Sequence, residues 1–102
     1  MTRSRTVLVA GAGIGGLAAS IALAKAGYRV VVFERDRTPD ISGAGIQLSP
    51  NATRALAKLG ALEILTPKSV EPEELVVSNA INRAVLAVMS LGAAMRTKFN
   101  SP

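Results

Sequence analysis

Two short unbroken apolar runs, Val7-Leu8-Val9-Ala10 and Val30-Val31-Val32-Phe33, stand out from the rest of the chain. Runs of this length, rich in β-branched residues and free of polar alternation, predict strands of a parallel sheet covered on both faces. Between them lies Gly11-Ala12-Gly13-Ile14-Gly15-Gly16-Leu17, then an alanine-rich segment. Leu17, Ala18, Ile21, Ala22 and Ala24 fall on faces that a helix can bury against a sheet, and Gly27 is placed to cap that helix. The order strand, glycine turn, helix, strand is a βαβ unit, so the expected class is α/β.

The pattern then changes. Residues 36–43 are polar and contain Pro39, which predicts a surface loop. Gly43-Ala44-Gly45-Ile46-Gln47-Leu48 suits backbone passing close to a ligand or to another backbone. A helix follows, with Ser49 as N-cap, Pro50 at its first position, Ala52, Ala55, Leu56 and Leu59 at helical spacing, and Gly60 as its stop. Arg54 and Lys58 take the opposite face. Residues 62–65 add one turn before Thr66-Pro67 ends it. Residues 75–79 and 84–91 predict a hairpin around Ala80-Ile81-Asn82-Arg83, although Ala80 and Ile81 are poor turn residues. The polar tail, 96–102, is expected to fray. Residues 1–70 thus form a partial dinucleotide-binding domain, and residues 71–102 the start of a second sheet.

The first unit carries the candidate chemistry. Gly11 allows a tight turn off the strand, Gly13 lets a pyrophosphate approach the backbone, and Gly16 lets the helix pack closely. The helix starting near Ile14 aims free N–H groups and the positive end of its dipole at the same place. Glu34 stands 18 positions after Gly16, at the end of the second strand. A carboxylate there accepts hydrogen bonds from adenosine ribose hydroxyls and repels a 2′-phosphate, which disfavours an NADP-type ligand. The bland alternative is a solvated acid at a strand end. Arg35 either flanks the adenine or sits in solvent.

Composition removes several classes. The 102 residues include no cysteine and no histidine, so disulfides, thiolate chemistry, zinc sites and histidine acid–base catalysis are excluded within this sequence. Its net charge of +5 is spread along the chain, and Tyr28, Phe33 and Phe99 are the only aromatic residues, which argues against a nucleic-acid surface. Residues 6–24 carry no charge and follow Arg3 and Arg5, as in a secretory signal or a membrane span. Four glycines between positions 11 and 16 would weaken such a helix. The expectation is a soluble cytoplasmic domain with no membrane partner.

Gly11-Ala12-Gly13-Ile14-Gly15-Gly16-Leu17, the pair Glu34-Arg35, and Gly43 through Ala52 followed by Leu59-Gly60 together resemble the N-terminus of single-component FAD-dependent aromatic monooxygenases, nearest to the salicylate-hydroxylase-like branch. The resemblance covers nearly the whole chain, and its second block is more specific than the glycine turn. It implies a Rossmann-type FAD-binding unit and a flavin enzyme that hydroxylates aromatic rings with NADH or NADPH and O2. By position, Gly11, Gly13, Ile14, Gly15 and Gly16 match the pyrophosphate turn, and Glu34 matches the ribose acid. Arg35 matches a position beside the adenosine, while Gly45, Ile46 and Gln47 match the stretch along the flavin end. The hairpin matches the first strands of a substrate-side sheet.

Members of that family run several times longer. The FAD-contacting arginine on a later helix, the aspartate motif and the second glycine-rich flavin site have no counterpart in this sequence, so no residue is assigned as catalytic. An aromatic substrate is expected only where further segments complete the site. Three functions follow: a portion of a flavin monooxygenase, a stand-alone dinucleotide-binding module, or a non-enzymatic remnant. A doubly wound sheet normally has five or six strands. Two strands leave an open apolar edge, which predicts marginal stability or self-association.

Overall fold

The computed structural model describes residues 5–39, 43 and 45–102, arranged as two compact units, Met1–Ile46 and Gln47–Pro102. The first unit is the expected βαβ. Strand β1, Thr6–Ala10, pairs in parallel with β2, Arg29–Phe33, in the register Thr6 to Arg29 through Ala10 to Phe33. Parallel neighbours need a crossover, and helix α1, Ile14–Lys25, supplies it. The helix ends in a Schellman motif: Tyr28 N–H donates to Leu23 O and Gly27 N–H to Ala24 O, each at 3.0 Å.

Packing within this unit departs from the sequence expectation in two ways. Gly16, Ser20 and Leu23, at spacings of four and three, form the half-buried face of α1, whereas Leu17, Ile21, Ala22 and Ala24 stay exposed and Ala18 is half-buried. The reason is steric, because Gly16 has no side chain and the helix approaches the sheet there. Second, β2 is not covered on both faces: Val30, Val31 and Val32 are half-buried and Phe33 is exposed. Helix α1 covers one face, and β1 and β2 make a two-stranded sheet among the described residues.

The second unit opens with helix α2, Pro50–Leu59, with Ser49 at the N-cap position but no side-chain capping bond, and Gly60 in the left-handed conformation closes it, as expected. Ser49 O accepts the N–H groups of Ala52 and Thr53, while its hydroxyl bonds the Asn51 side chain. Helix α3, Leu62–Leu65, is the one expected turn and ends before Thr66-Pro67. A 3-10 turn, Thr66–Lys68, follows directly and admits Pro67, because proline at the second position of a turn has no N–H to lose from the pattern.

Strands β3, Glu74–Ser78, and β4, Val85–Ser90, form the antiparallel hairpin, with a register irregularity between Val77 and Ser78. Two asparagines build its turn. Asn79 Oδ1 accepts from Ile81 N–H at 2.8 Å and Asn82 N–H at 3.3 Å, and Asn82 Oδ1 accepts from Ala84 N–H at 3.0 Å. Arg83 takes the positive φ of 58°. Side-chain amides thus replace the glycine or proline that a turn usually needs, and Ile81 stands 95% exposed.

The tail is ordered where fraying was expected. Helix α4, Ala93–Phe99, is tied by Arg96 to Glu71 at 2.8 Å. Beyond it, Ser101 Oγ lies 2.7 Å from Thr53 Oγ1, which is within donating distance of the Pro102 oxygen at 2.6 Å and of Pro50 O at 3.1 Å. Thr53 and Ser101, 7% and 5% exposed, are the buried polar residues, and no apolar side chain among the described residues is fully buried. The accessible surface is 8829 Å². Two separate compact globules sharing the same mass would expose only about 6,500 Å². Large apolar side chains are among what is left uncovered, with Leu8 66%, Ile14 67% and Val70 92% exposed.

Candidate functional site

Strand β1 delivers the chain into Gly11, whose φ of +103° is open to glycine and strained for any other residue. Gly11 N–H donates to Phe33 O at 2.7 Å, which extends the parallel ladder by one step and seats the turn at the C-terminal ends of both strands. Gly13 is the N-cap of α1, with no side-chain cap and no acid in the first turn. The first intrahelical bond runs from Leu17 N–H to Gly13 O at 2.9 Å. Helix geometry therefore leaves the N–H groups of Ile14, Gly15 and Gly16 without intrahelical acceptors, beside the positive end of the helix dipole.

The four glycines have different reasons to be glycine. A Cβ on Gly16 would lie 2.0 Å from Gly11 O and 3.6 Å from Val9 Cγ1, so the protein itself excludes a side chain there. At Gly13 and Gly15 a Cβ would meet nothing within 4 Å, and neither has a positive φ. Glycine in a helix costs about 0.5–1 kcal/mol relative to alanine. At Gly15 no packing or backbone demand of the described residues requires glycine, whereas at Gly13 glycine suits the N-cap position better than alanine although no steric contact demands it.

Glu34 follows directly on β2. Its Oε2 accepts the Ala12 N–H at 2.7 Å across 22 positions, and its Oε1 accepts the Asp36 N–H at 3.1 Å. The backbone N–H groups of Asp36 and then Ala12 hold its carboxyl below the usual carboxylate range; desolvation opposes them, and the backbone and charge of Arg35 add to the lowering. The acid is thus ionised at neutral pH and joined to the glycine turn. Sequence reasoning placed Glu34 at this end of the sheet but missed Ala12 and Asp36, because both contribute backbone donors and leave no side-chain signal.

Arg35 is solvent-exposed and approaches Asp36 at 3.5 Å. Gly45, Ile46 and Gln47 are exposed in the connection where one unit ends and the next begins. Ala44 and residues 40–42, part of the predicted loop and of the glycine-rich stretch, lie outside the described residues, as does Arg3. Among the described residues no cluster of acids forms a metal site, and no helix is long and apolar enough to cross a membrane.

Residues 9–61, just over half of the 102, match the NAD(P)-binding Rossmann-like domain family. The match takes in the glycine turn, Glu34 and α2. The chain is 44% identical over 98 residues to a 3-hydroxybenzoate 6-hydroxylase of Polaromonas naphthalenivorans, covering 94% of the chain and 24% of that protein. It is 32% identical over 101 residues to a 3-amino-4-hydroxybenzoate 2-monooxygenase of Streptomyces platensis, covering 99% and 26%. It is 37% identical over 81 residues to an FAD-dependent monooxygenase of Beauveria bassiana, covering 79% and 19%. The chain therefore spans about a quarter or less of the length of these relatives, and the similarity lies in their N-terminal portion. A parallel βαβ unit, a glycine turn at its strand ends and a matched segment longer than half the sequence agree, and the chain belongs to the NAD(P)-binding Rossmann-like domain family.

Proposed function

We propose that this chain carries the adenosine-diphosphate half of an FAD site in a flavin-dependent monooxygenase that hydroxylates aromatic substrates with NAD(P)H and O2. The observation that carries the reading is the pair Gly13 and Gly15. Neither glycine is required by a steric contact among the described residues, and both stand beside helix N–H groups that lack intrahelical acceptors, at the strand ends where Glu34 stands. Anions bind such helix starts through backbone donors and the dipole. Gly11 shapes the turn, and Gly13, Ile14, Gly15 and Gly16 receive the pyrophosphate. Glu34 accepts the ribose hydroxyls, which favours a free 2′-hydroxyl over a 2′-phosphate. Arg35 flanks the adenosine, and Gly45, Ile46 and Gln47 run along the flavin end.

When bound, FAD supplies the redox chemistry that activates O2 for transfer to the ring. The residues of this chain bind and orient the cofactor, and none of them is assigned a proton transfer or a contact with the aromatic substrate. Several relatives are named as hydroxylases or monooxygenases of hydroxybenzoate-type compounds, which supports an aromatic acid as substrate class. The absence of cysteine suits the reducing cytoplasm, where we place the protein.

Titration of the purified chain with FAD, followed by flavin fluorescence and by competition with ADP, tests the reading. Saturable binding displaced by ADP is expected. Binding that ADP does not displace, or no binding up to millimolar FAD, would refute it. The uncovered apolar surface and the open edge of β1 favour a second copy of the chain as a further partner. Sedimentation that stays monomeric across a hundredfold concentration range would remove that part of the proposal.

A further inference from the structure

We propose that Glu34 is a positioning residue for the glycine turn: the carboxylate that meets the ribose also holds the pyrophosphate cradle in shape. This rests on the adenosine-diphosphate reading of the same site. Two consecutive residues of the turn are tied to two consecutive residues at the end of β2. Gly11 N–H reaches Phe33 O at 2.7 Å, and Ala12 N–H reaches Glu34 Oε2 at 2.7 Å. The first tie is a ladder bond of the backbone and depends on no side chain. The second depends wholly on Glu34. Without it, Ala12 sits between two glycines, the residues with most backbone freedom to lose, and Gly13 has open space where a side chain would stand.

Bracing and ribose recognition are compatible. An ionised carboxylate has about four acceptor sites on its two oxygens. Ala12 bonds one oxygen and Asp36 the other, with the Arg35 backbone N–H also acting on the carboxylate, and the remaining acceptor capacity is open to a ribose hydroxyl. Charge makes the two roles separable, because a carboxylate beside a pyrophosphate repels it. If Glu34 only read ribose, its removal would leave binding of inorganic pyrophosphate unchanged or tighter. If Glu34 holds the cradle, removal weakens a ligand that has no ribose at all.

The test compares wild type with Glu34→Ala and Glu34→Gln in the 102-residue chain by backbone-amide NMR, using inorganic pyrophosphate and ADP as probes. Glutamine keeps one oxygen for Ala12 N–H and should rescue the brace. With alanine, Ala12 amide exchange in the free protein should rise about tenfold and pyrophosphate affinity should fall by a similar factor, the scale of one charge-assisted hydrogen bond. Glutamine should keep both within about threefold of wild type, the scale of a neutral bond. Should the alanine variant fail to fold, Glu34→Asp takes its place, since it keeps the charge but withdraws the carboxylate by one methylene from Ala12. Unchanged Ala12 exchange together with undiminished pyrophosphate affinity overturns the proposal, even where ADP binds. Absence of ADP binding by wild type overturns the adenosine-diphosphate reading instead, while the exchange contrast at Ala12 still decides the brace.

Discussion

Alanine at Gly16 and alanine at Gly15 should change stability in opposite directions, although the residues are adjacent in one helix. At Gly16 the new Cβ would fall 2.0 Å from Gly11 O, more than an ångström inside ordinary contact, and the obstacle is backbone rather than a flexible side-chain end. The turn must open or α1 must lift from the sheet. Overpacking of this kind costs about 1–3 kcal/mol, against a gain of at most about 1 kcal/mol from replacing a helical glycine. The clash outweighs the gain because a carbonyl fixed between β1 and α1 cannot step aside alone. A net loss of about 1–2 kcal/mol is expected. At Gly15 the Cβ meets nothing within 4 Å, so only the better helix propensity of alanine counts, and the free chain should gain some tenths of a kcal/mol up to about 1. Urea denaturation followed by far-ultraviolet circular dichroism measures both, with m-values compared to confirm a common mechanism. A Gly16→Ala chain as stable as wild type would refute the close approach of helix and turn as the reason for that glycine. A destabilised Gly15→Ala chain would refute the claim that the protein itself does not need the other.

Three further outcomes follow from the same geometry. Gly13→Ala should leave urea stability within about 1 kcal/mol, since its Cβ has free space, yet weaken FAD and ADP more than tenfold, the scale of one displaced charge-assisted contact; equal affinity would take Gly13 out of the cradle. Glu34 has a depressed folded-state pKa, so its contribution to the turn is complete above the unfolded value and is lost as pH falls through the lower folded value. The Ala12 and Asp36 amide protons should therefore titrate together with a midpoint below the usual carboxylate range, and a midpoint within that range would contradict the assignment. Thr53→Val removes the hydroxyl shared by Ser101 and Pro102 and leaves a buried donor without a partner. A loss of about 1–3 kcal/mol is expected by thermal denaturation, and an unchanged midpoint would show that the tail does not depend on this contact.

Local chemistry made the elements legible. The apolar runs 7–10 and 30–33 matched strands to within a residue, because an unbroken β-branched run has few other low-energy uses. Gly27 and Gly60 marked helix ends because each takes a positive φ there. The hairpin turn was the harder case, since its signal lies in the amides of Asn79 and Asn82 and not in the apolar pair between them. The tail was misread for a different reason. Its polarity is that of a solvated end, but Ser101 finds a partner 48 positions away in α2, and no local pattern announces such a meeting.

By itself, then, the sequence determined the βαβ order, the glycine turn, the acid after the second strand, and the family, because these depend on backbone preference and on spacing along the chain. Only the tertiary structure decided which faces are covered, which glycines the protein needs for its own packing, and that Glu34 is bonded to the turn it faces. Those depend on where the folded backbone brings groups together: the Gly11 carbonyl stands where a Cβ on Gly16 would fall, and the Ala12 N–H meets Glu34 at 2.7 Å across 22 positions.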